Sequence, residues 1–279
     1  MKRLIIQTLA ATALLTTTAA VLATPTQDGK GRYAEVNGLK MYYEIHGTGR
    51  PLVVLHGAFG WAVVFPTLAK NRQVIAIEMQ GHGHTADIDR PLTYEQMADD
   101  TAALLKQLKI EQADLFGYSM GGNVAMAVAI RHPKLVRKLV TAGSHYGKLE
   151  DAYDAEVVAQ FKSLSPDNFA PKELKDPYDK VAPDPKKWPV LVTKIKKMGS
   201  EFKGFAREEM RSIKAHVMVT IGDRDVVRPE HAVEMFRLIP NAQLAVFPGG
   251  DHFMLWTNPE TLLAPIATFL DAPMPKTKL

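Results

Sequence analysis

Three short stretches hold side chains whose types could do covalent chemistry. Gly117-Tyr118-Ser119-Met120-Gly121-Gly122 sets a serine between glycines. Gly222-Asp223-Arg224-Asp225 offers two carboxylates, and Gly249-Gly250-Asp251-His252-Phe253 offers an imidazole beside a third. A serine hydroxyl is a weak nucleophile at neutral pH and needs a base to take its proton. The base needs an acid to hold its tautomer and offset its charge. Serine, carboxylate and histidine, in that chain order, could supply all three parts. The G-x-S-x-G spacing alone says little, because composition gives it by chance in about one in ten chains of this length. Its setting says more: residues 113–116 (ADLF) read as a buried strand and residues 123–130 (NVAMAVAI) as a helix. A tight strand-to-helix turn strains its central residue, and Gly117 and Gly121 remove side chains that would clash there. Ser119 Oγ is then lifted above the strand end, near a helix N-terminus. The plainer alternative for Ser119 is an ordinary helix N-cap.

The elements that would position these residues follow from hydrophobic patterning. Residues 33–47 read as two strands around Asn37-Gly38, a strong hairpin signal. Apolar runs at 51–57, 73–78, 113–119 and 135–144 read as buried strands, and 216–223 and 242–250 as two further strands after the alternation returns. Helices are expected over 61–71 (despite Pro66), from Thr93 to about Ile110, after Met120 as far as Pro133, from Pro229 to Leu238, and over 259–270. Thr93 with Gln96 has the form of a capping box. Strand–helix alternation with apolar strands predicts an α/β fold, a mostly parallel sheet with helices on both faces. The alternation breaks over 146–212, a stretch rich in lysine, acid and proline that reads as an insertion over one end of the sheet.

Together, residues 56–60 (HGAFG), 81–83 (GHG), 117–122 (GYSMGG), 222–225 (GDRD) and 249–253 (GGDHF) resemble the α/β-hydrolase superfamily, over roughly residues 33–271. The resemblance implies Ser119 as nucleophile, His252 as base and Asp225, fourth in its G-x-x-D turn, as the acid. Asp223 is the rival, able instead to fix the turn through backbone hydrogen bonds. Asp251 is expected to point into solvent. Some relatives carry the acid after the strand at 135–144, but this chain has Ser144 there. The resemblance further implies an oxyanion hole built from the backbone N–H groups of Ala58 and Met120, with Phe59 able to contribute or to line the acyl site. Glu78 departs from the aspartate common at that strand end and is read as structural. His56 and His82 are read as braces, and His46, His132, His216 and His231 as structural or surface residues. His145 could face the pocket, although a structural role is favoured. His82-x-His84 lacks companions at ligand spacing, so no metal and no cofactor are expected.

A serine nucleophile implies acyl transfer, since dehalogenase and epoxide hydrolase relatives would carry aspartate at 119. The insertion resembles a helical cap, giving a division into core (33–145 and 213–279) and cap (146–212). Trp61, Tyr118, Tyr146, Trp188, Phe253 and Met254 are candidates, with Phe59, for an apolar substrate lining. The leading expectation is an exported serine hydrolase of small to medium carboxylic esters. A lactonase or a carbon–carbon hydrolase of ring-fission products is the alternative among enzymes. A ligand-binding or signalling module on the same fold is the alternative outside them.

Composition narrows the field further. Of 279 residues 46% are hydrophobic and 23% charged, as in a soluble globular protein, and there is no cysteine to form disulfides or thiolate sites. Lys2-Arg3, an alanine- and leucine-rich stretch, and Val21-Leu22-Ala23 have the form of a secretory signal cleaved after Ala23. Residues 24–32 then form a disordered lead-in. The net charge of +4 drops to +2 without Lys2 and Arg3, and no basic run accompanies it. Nucleic acid is therefore not an expected partner, nor is stable membrane insertion after cleavage. The expected partner is a small-molecule ester, in the periplasm or outside the cell.

Overall fold

The computed structural model describes residues 31–60 and 65–274. The expected signal segment, most of the lead-in and Trp61 lie outside them. Eight strands form one sheet: β1 (Arg32–Val36), β2 (Leu39–His46), β3 (Arg50–Leu55), β4 (Arg72–Ile77), β5 (Ala113–Tyr118), β6 (Val136–Ala142), β7 (His216–Gly222) and β8 (Ala242–Phe247). Their order is β1-β2-β4-β3-β5-β6-β7-β8, with β2 antiparallel to both its neighbours, β1 and β4, and every other pair parallel. The β1–β2 hairpin turns at Asn37 and Gly38, whose φ values of 49° and 80° are the left-handed pair that a two-residue turn requires.

The helices are α1 (Pro66–Ala69), α2 (Tyr94–Gln107), α3 (Met120–Arg131), α4 (Leu149–Ala152), α5 (Ala155–Lys162), α6 (Lys172–Val181), α7 (Trp188–Glu201), α8 (Arg207–Ser212), α9 (Pro229–Leu238), α10 (Met254–Thr257) and α11 (Pro259–Asp271). Alternate residues of β3 feed opposite faces of the sheet. Val53 and Leu55 pack with α2, α3 and α9, whereas Leu52 and Val54 pack with α1, α10 and α11. The apolar all-round sequence of α3 is explained by its burial against β5, β6 and α2. Thr93 caps α2 by accepting from Gln96 N–H at 3.0 Å. The capping box is only half made, because the Gln96 amide turns to Asp100 Oδ1 at 3.2 Å.

The chain leaves the sheet after β6 and is pinched where Gly147 pairs with Gly204. Helices α4 to α7 lie beyond this neck. Helix α8 packs on α3 and α9 and so rejoins the body, which shortens the insertion from the expected 146–212. Helix α7 is tied down by Lys194 Nζ, which donates to Asp87 Oδ1 at 2.7 Å and to the carbonyls of Ile88 and Arg90 at 2.8 and 2.9 Å.

Candidate active site

Ser119 follows the C-terminal end of β5, Asp225 that of β7 and His252 that of β8, so the parallel sheet delivers all three to one edge. Ser119 has φ 52° and ψ −122°, a backbone region that costs of order 1–3 kcal/mol and persists only where its surroundings enforce it. Space enforces it here. A Cβ on Gly117 would lie 2.3 Å from the Gly121 carbonyl oxygen, and one on Gly121 would lie 2.1 Å from that of Leu55. Ser119 occupies the N-cap position of α3, yet its side chain caps nothing. Its Oγ instead lies 3.0 Å from His252 Nε2.

His252 Nδ1 lies 2.8 Å from Asp225 Oδ1. A carboxylate only accepts, so the proton sits on Nδ1 and Nε2 is free to accept from Ser119. Burial opposes charge on His252, but Asp225 outweighs it and holds the imidazole above the ordinary histidine value. The Asp225 side chain is only 4% exposed and is fixed by the Val227 N–H, which donates to Oδ1 at 3.0 Å. Asp223 accepts from Gly249 N–H at 2.7 Å and thus holds the turn. Asp251, half-buried where exposure was expected, accepts from Phe253 N–H at 2.9 Å.

Ala58 and Met120 both line the cavity beside Ser119. Met120 is the first residue of α3, so its N–H has no intrahelical acceptor and lies at the positive end of the helix. The loop bearing Ala58 passes close enough that a Cβ on Gly57 would stand 3.3 Å from Ser119 Cβ. His56 braces this loop: Nδ1 donates to the Gly57 carbonyl at 2.8 Å, and Nε2 accepts from Met79 N–H at 3.1 Å. His82 Nδ1 binds the Gln80 carbonyl, while His84 pairs with Glu78 at 3.0 Å and stacks on Tyr42, so these two histidines serve different contacts. Among the described residues no cluster of three or more histidines and carboxylates could hold a metal ion.

A cavity of about 480 Å³ opens at Ser119 and runs beneath α5 to α7. Phe59, Tyr118 and Phe253 line it. Tyr146, Trp188 and Met254, also proposed as lining, do not. Tyr146 stacks on His231 with ring centroids 4.7 Å apart. Trp188 lies behind Phe59 and donates its indole N–H to the Phe169 carbonyl at 2.8 Å. Met254 is buried under the Gly250 turn. Sequence reasoning missed Phe161, Phe169 and Trp256 and gave His145 a structural role, yet all four line the cavity. The apolar face of residues 155–162 was the available signal for Phe161. No lysine or arginine is among the described lining residues.

The family model described as "alpha/beta hydrolase fold" matches residues 50–188. The chain is 40% identical over 122 residues to the 2-hydroxymuconate semialdehyde hydrolase of Pseudomonas sp. (strain CF600), a match covering 41% of this chain and 43% of that one. It is 28% identical over 256 residues to the sn-1-specific diacylglycerol lipase ABHD11 of Mus musculus, covering 78% and 80%. Among solved structures it is similar to Est816, described as an N-acyl homoserine lactone degrading enzyme, at 26% identity and a TM-score of 0.70, covering 85% of this chain and 100% of that one. Fold, serine turn and family match agree: the chain belongs to the α/β-hydrolase superfamily.

Proposed function

We propose that the protein is a serine hydrolase of uncharged carboxylic esters, working through an acyl-enzyme. The observation that carries this reading is the Ser119–His252–Asp225 relay opening into a mostly apolar cavity with no lysine or arginine among its described lining residues. His252 Nε2 takes the Ser119 proton as Oγ attacks the ester carbonyl. Asp225 offsets the imidazolium. The Ala58 and Met120 N–H groups receive the developing oxyanion, a contribution of about 10²–10³ in rate per donor in comparable sites. His252 then passes its proton to the leaving alkoxide. A water molecule, deprotonated by the same nitrogen, attacks the acyl-enzyme and regenerates Ser119.

The cavity weighs against the carbon–carbon alternative. A ring-fission product such as a muconate semialdehyde carries a carboxylate, and burying that charge without a paired cation is costly. A lactone with an apolar acyl chain is uncharged and fits the same reading. The test is hydrolysis of p-nitrophenyl esters from acetate to palmitate, with Ser119→Ala as control. Turnover that depends on Ser119 supports the proposal. No turnover at any length, in folded protein, contradicts it and directs attention to ring-fission products.

We also propose export, on the strength of Lys2-Arg3, the apolar stretch and Val21-Leu22-Ala23. N-terminal sequencing of the protein from a periplasmic or secreted fraction should begin at Thr24, and a chain retaining Met1 contradicts export.

A further inference from the structure

His145 stands just beyond β6 and lines the cavity, yet the proposed mechanism does not use it. It is 5% exposed. Its backbone N–H is anchored on Asn123 Oδ1 at 3.3 Å, and its ring stands edge-on to Tyr94 and Tyr153, two further lining residues. Nδ1 lies 2.7 Å from the Gly147 carbonyl oxygen, which can only accept, so the ring proton is on Nδ1. Nε2 is therefore a bare lone pair, and among the described residues nothing donates to it. Burial pushes this histidine down to about 4, so the tautomer holds at neutral pH and Nε2 cannot become a donor. No carboxylate orients the ring, so it cannot replace His252 as the base.

An acceptor set in the wall of an apolar cavity discriminates between ligands, because a bound substrate that excludes water and offers no donor leaves it unpaired. We propose that His145 determines specificity: its Nε2 accepts a hydrogen bond from an O–H or amide N–H group of an uncharged ester or lactone substrate. This inference rests on the serine-hydrolase reading and narrows its substrate class to acyl compounds bearing a donor.

The test compares pairs of equal chain length: p-nitrophenyl decanoate against its 2- and 3-hydroxy derivatives, and an alkyl lactone against an N-acyl amino-lactone. Wild type, His145→Leu and His145→Gln are assayed, with His145→Phe if the leucine variant does not fold. At least one donor-bearing substrate should be preferred about tenfold or more in kcat/KM. The preference should vanish in His145→Leu and partly return in His145→Gln, whose amide oxygen can accept. No preference in wild type, or a preference that survives His145→Leu, overturns the inference. Labelling of Ser119 by a fluorophosphonate separates the two readings. Labelled enzyme with flat preference overturns only the role of His145, whereas folded protein without label overturns the serine-hydrolase reading itself.

Discussion

The hydroxyl of Tyr118 donates to the backbone carbonyl of His252, so the residue directly before Ser119 holds the loop that carries its base. The two rings lie 5.6 Å apart. Tyr118 therefore both lines the cavity and positions His252. Replacing it with phenylalanine keeps the ring and removes one hydrogen bond, worth about 1 kcal/mol. Tyr118→Phe should lower kcat by roughly fivefold with little change in KM, as read from steady-state kinetics on a short-chain ester. A rise in KM alone would assign Tyr118 to substrate contact only.

The proposed mechanism needs His252 neutral in the free enzyme. Because Asp225 holds its pKa above the ordinary value of about 6.5, activity should fall on the acid side through a midpoint above that value. Asp225→Asn removes the stabilising charge, so the midpoint should move to lower pH while the rate drops by about 10⁴-fold. The pH profile of kcat/KM reads both effects, and a midpoint that stays in place would show that Asp225 does not control the base.

Four buried histidines have the opposite tendency. Burial pushes His56 down to about 3 and His82, His145 and His231 to about 4. Below about pH 6.5 the unfolded chain takes up protons that the folded chain refuses, so stability falls with pH until the folded groups titrate. Each contributes up to about 1.4 kcal/mol per pH unit in that window. His252, raised in the fold, favours folding below 6.5 and loses that contribution as pH rises through its folded value. Thermal melts should show Tm dropping by about 10 °C or more between pH 7 and pH 5. A flat Tm over that range would contradict the burial of neutral imidazoles.

Gly199 sits inside α7, where glycine is unfavourable by about 1 kcal/mol relative to alanine. A Cβ there would lie 2.6 Å from the ring of Phe161, and both residues line the cavity. Gly199→Ala should drive that ring into the cavity and move the preferred acyl chain to shorter lengths, with Tm unchanged or raised. An unaltered chain-length profile would mean that Phe161 does not bound the acyl site.

Six of the eight strands were legible as apolar runs ended by turn residues, and Asn37-Gly38 marked the hairpin of the other two. Ser119, Asp225 and His252 were legible because each follows such a run. The cap was not. Helices α4 and α5 are only four and eight residues long, too short for a periodicity that separates cavity from core. Trp188 and Tyr146 look like pocket aromatics in sequence. Their partners, the Phe169 carbonyl and His231, are set by long-range packing that no local pattern encodes. His145 differs in part: its tautomer is set by a carbonyl only two residues away, but its place against Tyr94 in the cavity is again a matter of long-range packing.

Ser119 stands or falls as a nucleophile activated by His252. The most direct measurement is fluorophosphonate labelling of the folded protein, with the adduct located by peptide mass spectrometry. A single adduct is expected, on Ser119, lost in Ser119→Ala and strongly slowed in His252→Ala. Folded protein that takes no label, or takes it at another residue, would contradict it.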